Sequence, residues 1–234
     1  MNTFDPILWT HVAAGSAALL GFWLNAALRK GSLLHRRIGQ GYLLTMLLVM
    51  VTALPIAWRA FAAAQPVKGI FLLYLVVITA TPAWLAWRAI RDRHDLKAFT
   101  GTTYRVLSAA SLASGVVVLV AGVYYRVALL AGFSVVGIIT GGAMLRFAMR
   151  GTAEPRWWLR EHYGAIAGCG VATHIAFLNI GASRLLPDGW SGTTQAVGWL
   201  VPVVVAVIAR LWLDRKYKFA SSRALEPLVQ DART

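Results

Sequence analysis

The most regular feature of the chain is a series of apolar runs of spanning length, each bounded by charged residues or by Gly and Pro. A hydrocarbon core about 30 Å thick needs about 20 apolar residues for one helical crossing. The pattern therefore predicts an all-α polytopic membrane bundle with seven transmembrane helices. We place them at about residues 7–28, 38–60, 67–90, 104–124, 127–149, 160–182 and 193–213.

The fourth and fifth runs are separated only by Tyr124, Tyr125 and Arg126. This boundary is a tight hairpin on the seven-span interpretation. The alternative is one kinked segment, which would leave six spans and place both termini on the same side of the membrane.

Composition supports a chain whose main solvent is lipid. Hydrophobic residues make up 58% of the 234 residues and charged residues only 14%, unlike an ordinary soluble domain. We expect one transmembrane helix-bundle domain over residues 1–215, followed by a polar cytoplasmic tail over 216–234. The segment from Met1 to Pro6 has no basic residue. It therefore lacks the positive region of a cleavable signal peptide, and we expect the first helix to be retained.

The formal net charge of +14 raises the question of nucleic-acid binding, but the placement of the cations argues against it. The basic residues form short clusters between the apolar runs, where a membrane protein keeps them to face the cytoplasm and anionic lipid. On the seven-span interpretation, 19 of the 23 Lys and Arg residues lie on one side. Because short cytoplasmic loops carry the excess of positive charge, we predict an outer N-terminus and a cytoplasmic C-terminus.

Histidine is the ionisable residue that offers candidate chemistry, since no carboxylate lies deep in a predicted span. Ionisable groups at membrane depth are costly and are functional candidates. The topology places His11 and His174 in the outer half, and His35 and His162 at the cytoplasmic boundary. His94 lies in a charged loop and is interpreted as a solvated residue.

Two histidines on each side of a helical bundle suit a b-type haem protein, because imidazoles from facing helices are common axial ligands of haem iron. We therefore predict an outer site of His11 and His174 and an inner site of His35 and His162. His162 and His174 are about 120° apart around one helix, at 100° per residue, so the two sites would face different neighbours.

Three arginines beside the inner pair could bind haem propionates: Arg36, Arg37 and Arg160. The same histidines could instead bind a bare metal such as copper or zinc. They could also bind nothing and serve as structural or proton-relay groups.

Other functions stay open at this stage. Cys169 is interpreted as a small packing residue, and no nucleophile is paired with a base, so the sequence leaves open whether the protein is an enzyme. A small-solute transporter would need broken helices near the midplane, whereas Pro55, Pro82 and Pro202 fall near the ends of predicted spans. The remaining alternative is an accessory or scaffold protein of a larger membrane complex, with glycine-lined faces as contact surfaces.

Two stretches resemble a bacterial multi-pass membrane family catalogued as domain of unknown function 2306 (DUF2306). One runs from His11 to Tyr42 and contains GSLLHRRIGQGY; the other runs from His162 to Phe177 and is followed by WLVP at the last helix. The resemblance implies a protein of the bacterial inner membrane. It also implies that the motif positions include His11, His35, His162 and His174. It carries no activity, and it departs from the family at Tyr163-Gly164, where many members place Arg, Trp or Met.

Overall fold

The protein is built almost wholly of α-helices in the computed structural model, which describes residues 5–181, 192–217 and 219. Within these residues the seventh helix leads directly into a short π-helical segment, Phe177–Gly181. The helices are α1 (Pro6–Ala27), α2 (Leu33–Ala62), α3 (Pro66–Arg91), α4 (Leu96–Phe99), α5 (Thr102–Tyr124), α6 (Ala128–Arg150), α7 (Trp157–Ala176) and α8 (Gly192–Lys216).

Six helices in the described ranges are long and apolar enough to cross a membrane: α1, α2, α3, α5, α6 and α8. Large apolar side chains such as Leu20, Leu44 and Val120 are exposed on their surfaces, as expected where lipid is the solvent. The chain is therefore an integral, multi-pass membrane protein. The sixth predicted span corresponds to α7, which is less apolar because Arg160 and Glu161 lie near its start, and the seventh corresponds to α8.

The fourth and fifth predicted spans are two separate helices. Tyr124 ends α5 and Ala128 begins α6, so the chain reverses within the three residues 125–127. Arg126 adopts a left-handed conformation in this turn, with φ of 56°. The single kinked segment considered as an alternative is therefore wrong.

Two boundaries differ from the predicted ones. α2 begins at Leu33, five residues before the predicted start, because the Ser32 hydroxyl caps the helix by accepting from the backbone N–H of His35. His35 is thus inside a helix and not before it. The sixth predicted span begins at Trp157 and ends in the π segment. Most of the predicted tail, residues 218 and 220–234, lies outside the described residues.

The three prolines considered earlier lie inside helices and not near their ends: Pro55 in α2, Pro82 in α3 and Pro202 in α8. All three helices continue through them. Membrane helices tolerate proline because neighbouring helices and local adjustments satisfy the freed carbonyl. Their positions therefore mark no broken helix in the described part of the chain.

α3 is the central helix of the bundle. It packs against α2, α5 and α7, while α1 lies on α2 and α8 lies on α7. The two ends of the bundle differ in charge. The basic end holds the turn at residues 28–32, the connection at 92–101 that includes α4, and residues 151–156. The far end holds Asp5, which caps α1 and forms an ion pair with Arg59 of α2.

The backbones of α5 and α6 approach each other closely, and this hairpin packs against α3. The Ser108 hydroxyl donates to the Gly141 carbonyl at 2.7 Å. From α3, the Tyr74 hydroxyl donates to the Phe133 carbonyl and accepts from the Gly137 amide at 2.8 Å. Gly137 and Gly141 therefore serve helix packing, as their spacing predicts. In this half of the bundle, hydroxyl groups and glycines hold helices together.

We predict that Gly141→Ala destabilises the protein by about 1–3 kcal/mol, because the new Cβ would lie only 2.6 Å from the Ser108 carbonyl oxygen. The neighbouring Gly142 has nothing within 4 Å of its Cβ position, so Gly142→Ala is the matched control, with an expected change within about 0.5 kcal/mol. Thermal unfolding in a mild detergent measures both. Equal effects of the two substitutions would contradict the packing described for this hairpin.

Candidate functional site

The parallel helices α2 and α7 contact each other in register. Both begin at the basic end of the bundle. Tyr42 of α2 lies in the same buried cluster as Cys169 of α7. One turn further on, the Thr173 hydroxyl contacts the Met46 sulfur at 3.5 Å. Tyr42 is thus level with Cys169, and Met46 is level with Thr173.

His35 and His162 belong to the same register. His35 lies seven residues before Tyr42, and His162 lies seven residues before Cys169. Residues seven apart return to nearly the same face of a helix, with a drift of only about 20°. The two imidazoles therefore fall level with each other on α2 and α7. The register thus places the predicted inner pair at the same depth in the bundle.

His162 is anchored through one ring nitrogen. Its Nδ1 lies 2.8 Å from the Ala86 carbonyl oxygen of α3. A carbonyl only accepts, so Nδ1 carries the hydrogen and Nε2 is left with a lone pair. Metal-ligating histidines are usually held in this way, by a backbone carbonyl on the nitrogen that does not bind the metal.

His35 is anchored less tightly, on the backbone of α1. Its Nδ1 is 3.4 Å from the Asn25 carbonyl oxygen. The same carbonyl accepts from the Lys30 ammonium at 2.9 Å, and Lys30 also donates to the Ala26 carbonyl at 2.7 Å. A cation is thereby fixed beside His35. Burial and the charge of nearby Lys216 lower the pKa of the Lys30 ammonium.

One buried polar atom beside His35 has no hydrogen-bond partner among the described residues: the Asn25 side-chain oxygen. Unpaired polar atoms inside a bundle are costly and mark candidate binding sites. Lys30 and Asn25 were not predicted as site residues. Asn25 could have been noticed because an amide side chain in hydrocarbon needs a hydrogen-bond partner. The sequence alone does not show which helix faces Asn25.

The predicted outer pair is not brought together. His11 Nδ1 lies 2.9 Å from the Thr52 hydroxyl of α2. His174 contacts the rings of Phe22 and Trp23 instead. Trp23 is twelve residues after His11 on α1, which corresponds to about 18 Å along a helix. One iron cannot bind both imidazoles at that separation.

His174 has partners on both ring nitrogens. Nδ1 donates to the Gly170 carbonyl at 2.7 Å, and Nε2 accepts from the Trp23 indole at 2.9 Å. His174 is also nearer the middle of the bundle than predicted. Its neighbour Thr173 contacts Met46, which lies close to the midpoint of α2.

The arginines beside the inner pair are placed differently from one another. Arg160 forms an ion pair with Asp214 of α8, at 3.3 Å. Asp214 also accepts a hydrogen bond from the Tyr163 hydroxyl. Arg36 and Arg37 follow His35 on α2, and among the described residues no side-chain partner is seen for either. His94 is exposed, as predicted for a solvated residue.

The described residues contain no group of three or more His, Cys, Asp or Glu side chains placed to hold a metal ion. The inner site therefore offers two imidazole nitrogens. Two axial ligands suffice for haem, in which the porphyrin supplies four further nitrogens. Protein zinc sites use three or four side-chain ligands.

Comparison of the chain with models of protein families, with curated proteins and with solved structures finds no match. The resemblance to DUF2306 stays a prediction.

We predict that His162 and His174 both carry their hydrogen on Nδ1 above pH 8, where an ordinary imidazole is neutral. Long-range ¹H–¹⁵N correlation spectra of protein labelled on histidine measure this, with His162→Gln and His174→Gln used for assignment. Trp23→Phe should shift the Nε2 signal of His174 and leave that of His162 unchanged. An Nε2–H tautomer of His162 would contradict the anchoring on Ala86.

Proposed function

We propose that this membrane protein binds a b-type haem between α2 and α7, with His35 and His162 as axial ligands, and that it functions in electron transfer. The observation that carries the proposal is the common register of α2 and α7. It places two imidazoles level with each other on neighbouring helices, with Nε2 of His162 directed away from its anchor on Ala86.

Other features around the pair support the proposal. The backbones of α2 and α7 do not approach as closely as those of α1 and α2 or of α3 and α7, so side chains and not backbone fill the space between them. The unpaired side-chain oxygen of Asn25 lies beside His35. Haem is favoured over a bare copper or zinc ion because the site supplies only two imidazoles.

Each side chain then has a distinct role. His35 and His162 would hold the haem iron through Nε2, while the carbonyls of Asn25 and Ala86 orient their rings. The Lys30 ammonium, together with Arg36 and Arg37, which directly follow His35 on α2, would supply positive charge for propionate groups at the basic end. When bound, haem supplies one-electron oxidation and reduction.

The proposal includes the topology. We infer seven crossings, with the N-terminus outside and the basic end in the cytoplasm of a bacterium. α7 and the π segment together cover 25 residues (Trp157–Gly181). They run beside α8 from the contact of Tyr163 with Asp214 to that of Asn179 with Gly198. That length supports a crossing by α7 despite its lower hydropathy.

Absorption spectra of protein expressed with ample haem, as isolated and after dithionite reduction, test the cofactor. We expect a sharp α band on reduction, lost in His35→Ala and in His162→Ala because each removes an axial ligand. His94→Ala is the matched control and should keep the full spectrum, since His94 is exposed.

Two results would contradict this assignment. One is a flat visible spectrum of the folded wild-type protein. The other is a spectrum that survives both inner substitutions and is lost with His11→Ala or His174→Ala. The melting temperature of each variant in detergent shows whether loss of the spectrum reflects loss of the fold.

Reporter fusions test the topology. A green fluorescent protein fused after Thr234 should fluoresce, because that end is cytoplasmic in the proposal. Alkaline phosphatase fused after Thr234 should be inactive, since the enzyme needs export, and the same enzyme fused after Tyr125 should be active. An active phosphatase at Thr234 would mean six crossings or the opposite orientation.

A further inference from the structure

The contact between Trp23 and His174 is a polar pair on the lipid-facing side of the bundle. The Trp23 side chain is 58% exposed, and its indole N–H donates to His174 Nε2 at 2.9 Å. In hydrocarbon no water competes for these two groups. A molecule that displaces this bond must therefore arrive dissolved in the bilayer, and it must both accept from an indole and donate to an imidazole.

Aromatic rings surround this pair. The Phe22 ring meets His174 edge-on, with ring centroids 5.3 Å apart and planes at 80°. Phe22 itself lies against Gly170, where a Cβ would be only 2.6 Å from the ring. Glycine at this position lets the aromatic side chain lie directly on α7. The surface next to the polar pair thus suits a flat ring.

The backbone beside the pair is also unusual. α7 changes to a π-helical segment at Phe177, three residues after His174, and the Phe177 side chain is 41% exposed. Short π segments inside helices are rare and are frequently found at functional sites. Three features therefore occur together near His174: the π segment, the hydrogen bond with Trp23 and the ring of Phe22. His174 lies about 18 Å along α7 from His162.

We propose that Trp23 and His174 form the polar end of a binding site for a lipid-soluble hydroquinone, a quinol with an apolar tail. One phenolic hydroxyl donates to His174 Nε2 and accepts from the Trp23 indole, so it takes the place of the bond between them. The ring packs on Phe22, and the tail remains in the lipid. This binding site is separate from the histidine pair of α2 and α7 and does not require haem.

The first test compares binding of the quinol with binding of its oxidised form, the quinone. A quinone carbonyl can accept from Trp23 but has no hydrogen to donate to His174, so the quinol should bind about fivefold more tightly, the typical effect of one hydrogen bond. Ligand-observed NMR with decylubiquinol and decylubiquinone in detergent measures both dissociation constants. Dodecanol, which has a hydroxyl and a chain but no ring, tests recognition of the ring and should bind at least tenfold more weakly.

The matched variants are His174→Leu and His11→Leu, which make the same change in the same bundle. His174→Leu should weaken quinol binding about fivefold and abolish the difference between quinol and quinone. His11→Leu should leave both constants unchanged, because His11 contacts Thr52 on α2. Haem content, recorded in parallel, reports on the other proposal and has no bearing on these constants.

Three outcomes would overturn the site: equal affinity for quinol and quinone in the wild-type protein, equal affinity for quinol and dodecanol, or equal loss of binding in the two leucine variants. The last would indicate partition into detergent or a general loss of fold. As a second measurement that does not depend on these variants, quinol should shift the Nε2 signal of His174 in labelled wild-type protein. An unchanged signal at saturating quinol would also overturn the proposal.

Discussion

Inside a bilayer, each polar side chain needs a partner on its own helix or on a neighbouring one, because no water reaches it. This constraint separates the four membrane histidines by the partners that they find. His174 uses both nitrogens, on Gly170 and Trp23. His162 uses one, on Ala86. Nε2 of His162 therefore remains a free acceptor. Unpaired acceptors are rare inside a membrane bundle, and the proposed site depends on this one.

The remaining structure fixes where that nitrogen lies. α3 stands between a half of the bundle held by glycines and hydroxyl groups and a half that contains the membrane histidines. The hairpin of α5 and α6 supports α3 through contacts such as Tyr74 with Gly137. α3 in turn supplies the Ala86 carbonyl that orients His162. The glycine-rich half therefore acts on the site indirectly, by positioning the helix against which α7 packs.

Much of the fold could be predicted from the sequence, because hydrophobic run length and charge clusters respond to membrane thickness directly. Helix ends set by side-chain caps were harder to predict. The cap at Ser32 extends α2 by a turn and brings His35 into the helix. The change to π-helix at Phe177 left no signal in the apolar pattern. The lower hydropathy of α7 follows from the polar residues near its start, which the span count did not weigh.

The candidate site was only partly predictable, for a related reason. The high free-energy cost of an ionisable side chain in a membrane identifies each histidine separately as a candidate. Which histidines pair depends on the register of two helices, and the paired residues are more than a hundred positions apart in sequence. His35 with His162 and His11 with His174 were equally plausible pairs on depth alone. The contact of Thr173 with Met46 distinguishes them, since it fixes α7 against α2. Lys30 was missed because its side chain folds back onto the end of α1.

The most direct test of the central claim is the electron paramagnetic resonance spectrum of the oxidised protein after expression with haem. Two imidazoles on one iron produce a low-spin ferric signal. The account predicts that signal in the wild-type protein and its replacement by a high-spin signal when either His35 or His162 is changed to Ala. A high-spin signal in the wild-type protein, or no ferric signal at all, would contradict the assignment of these two histidines to one haem.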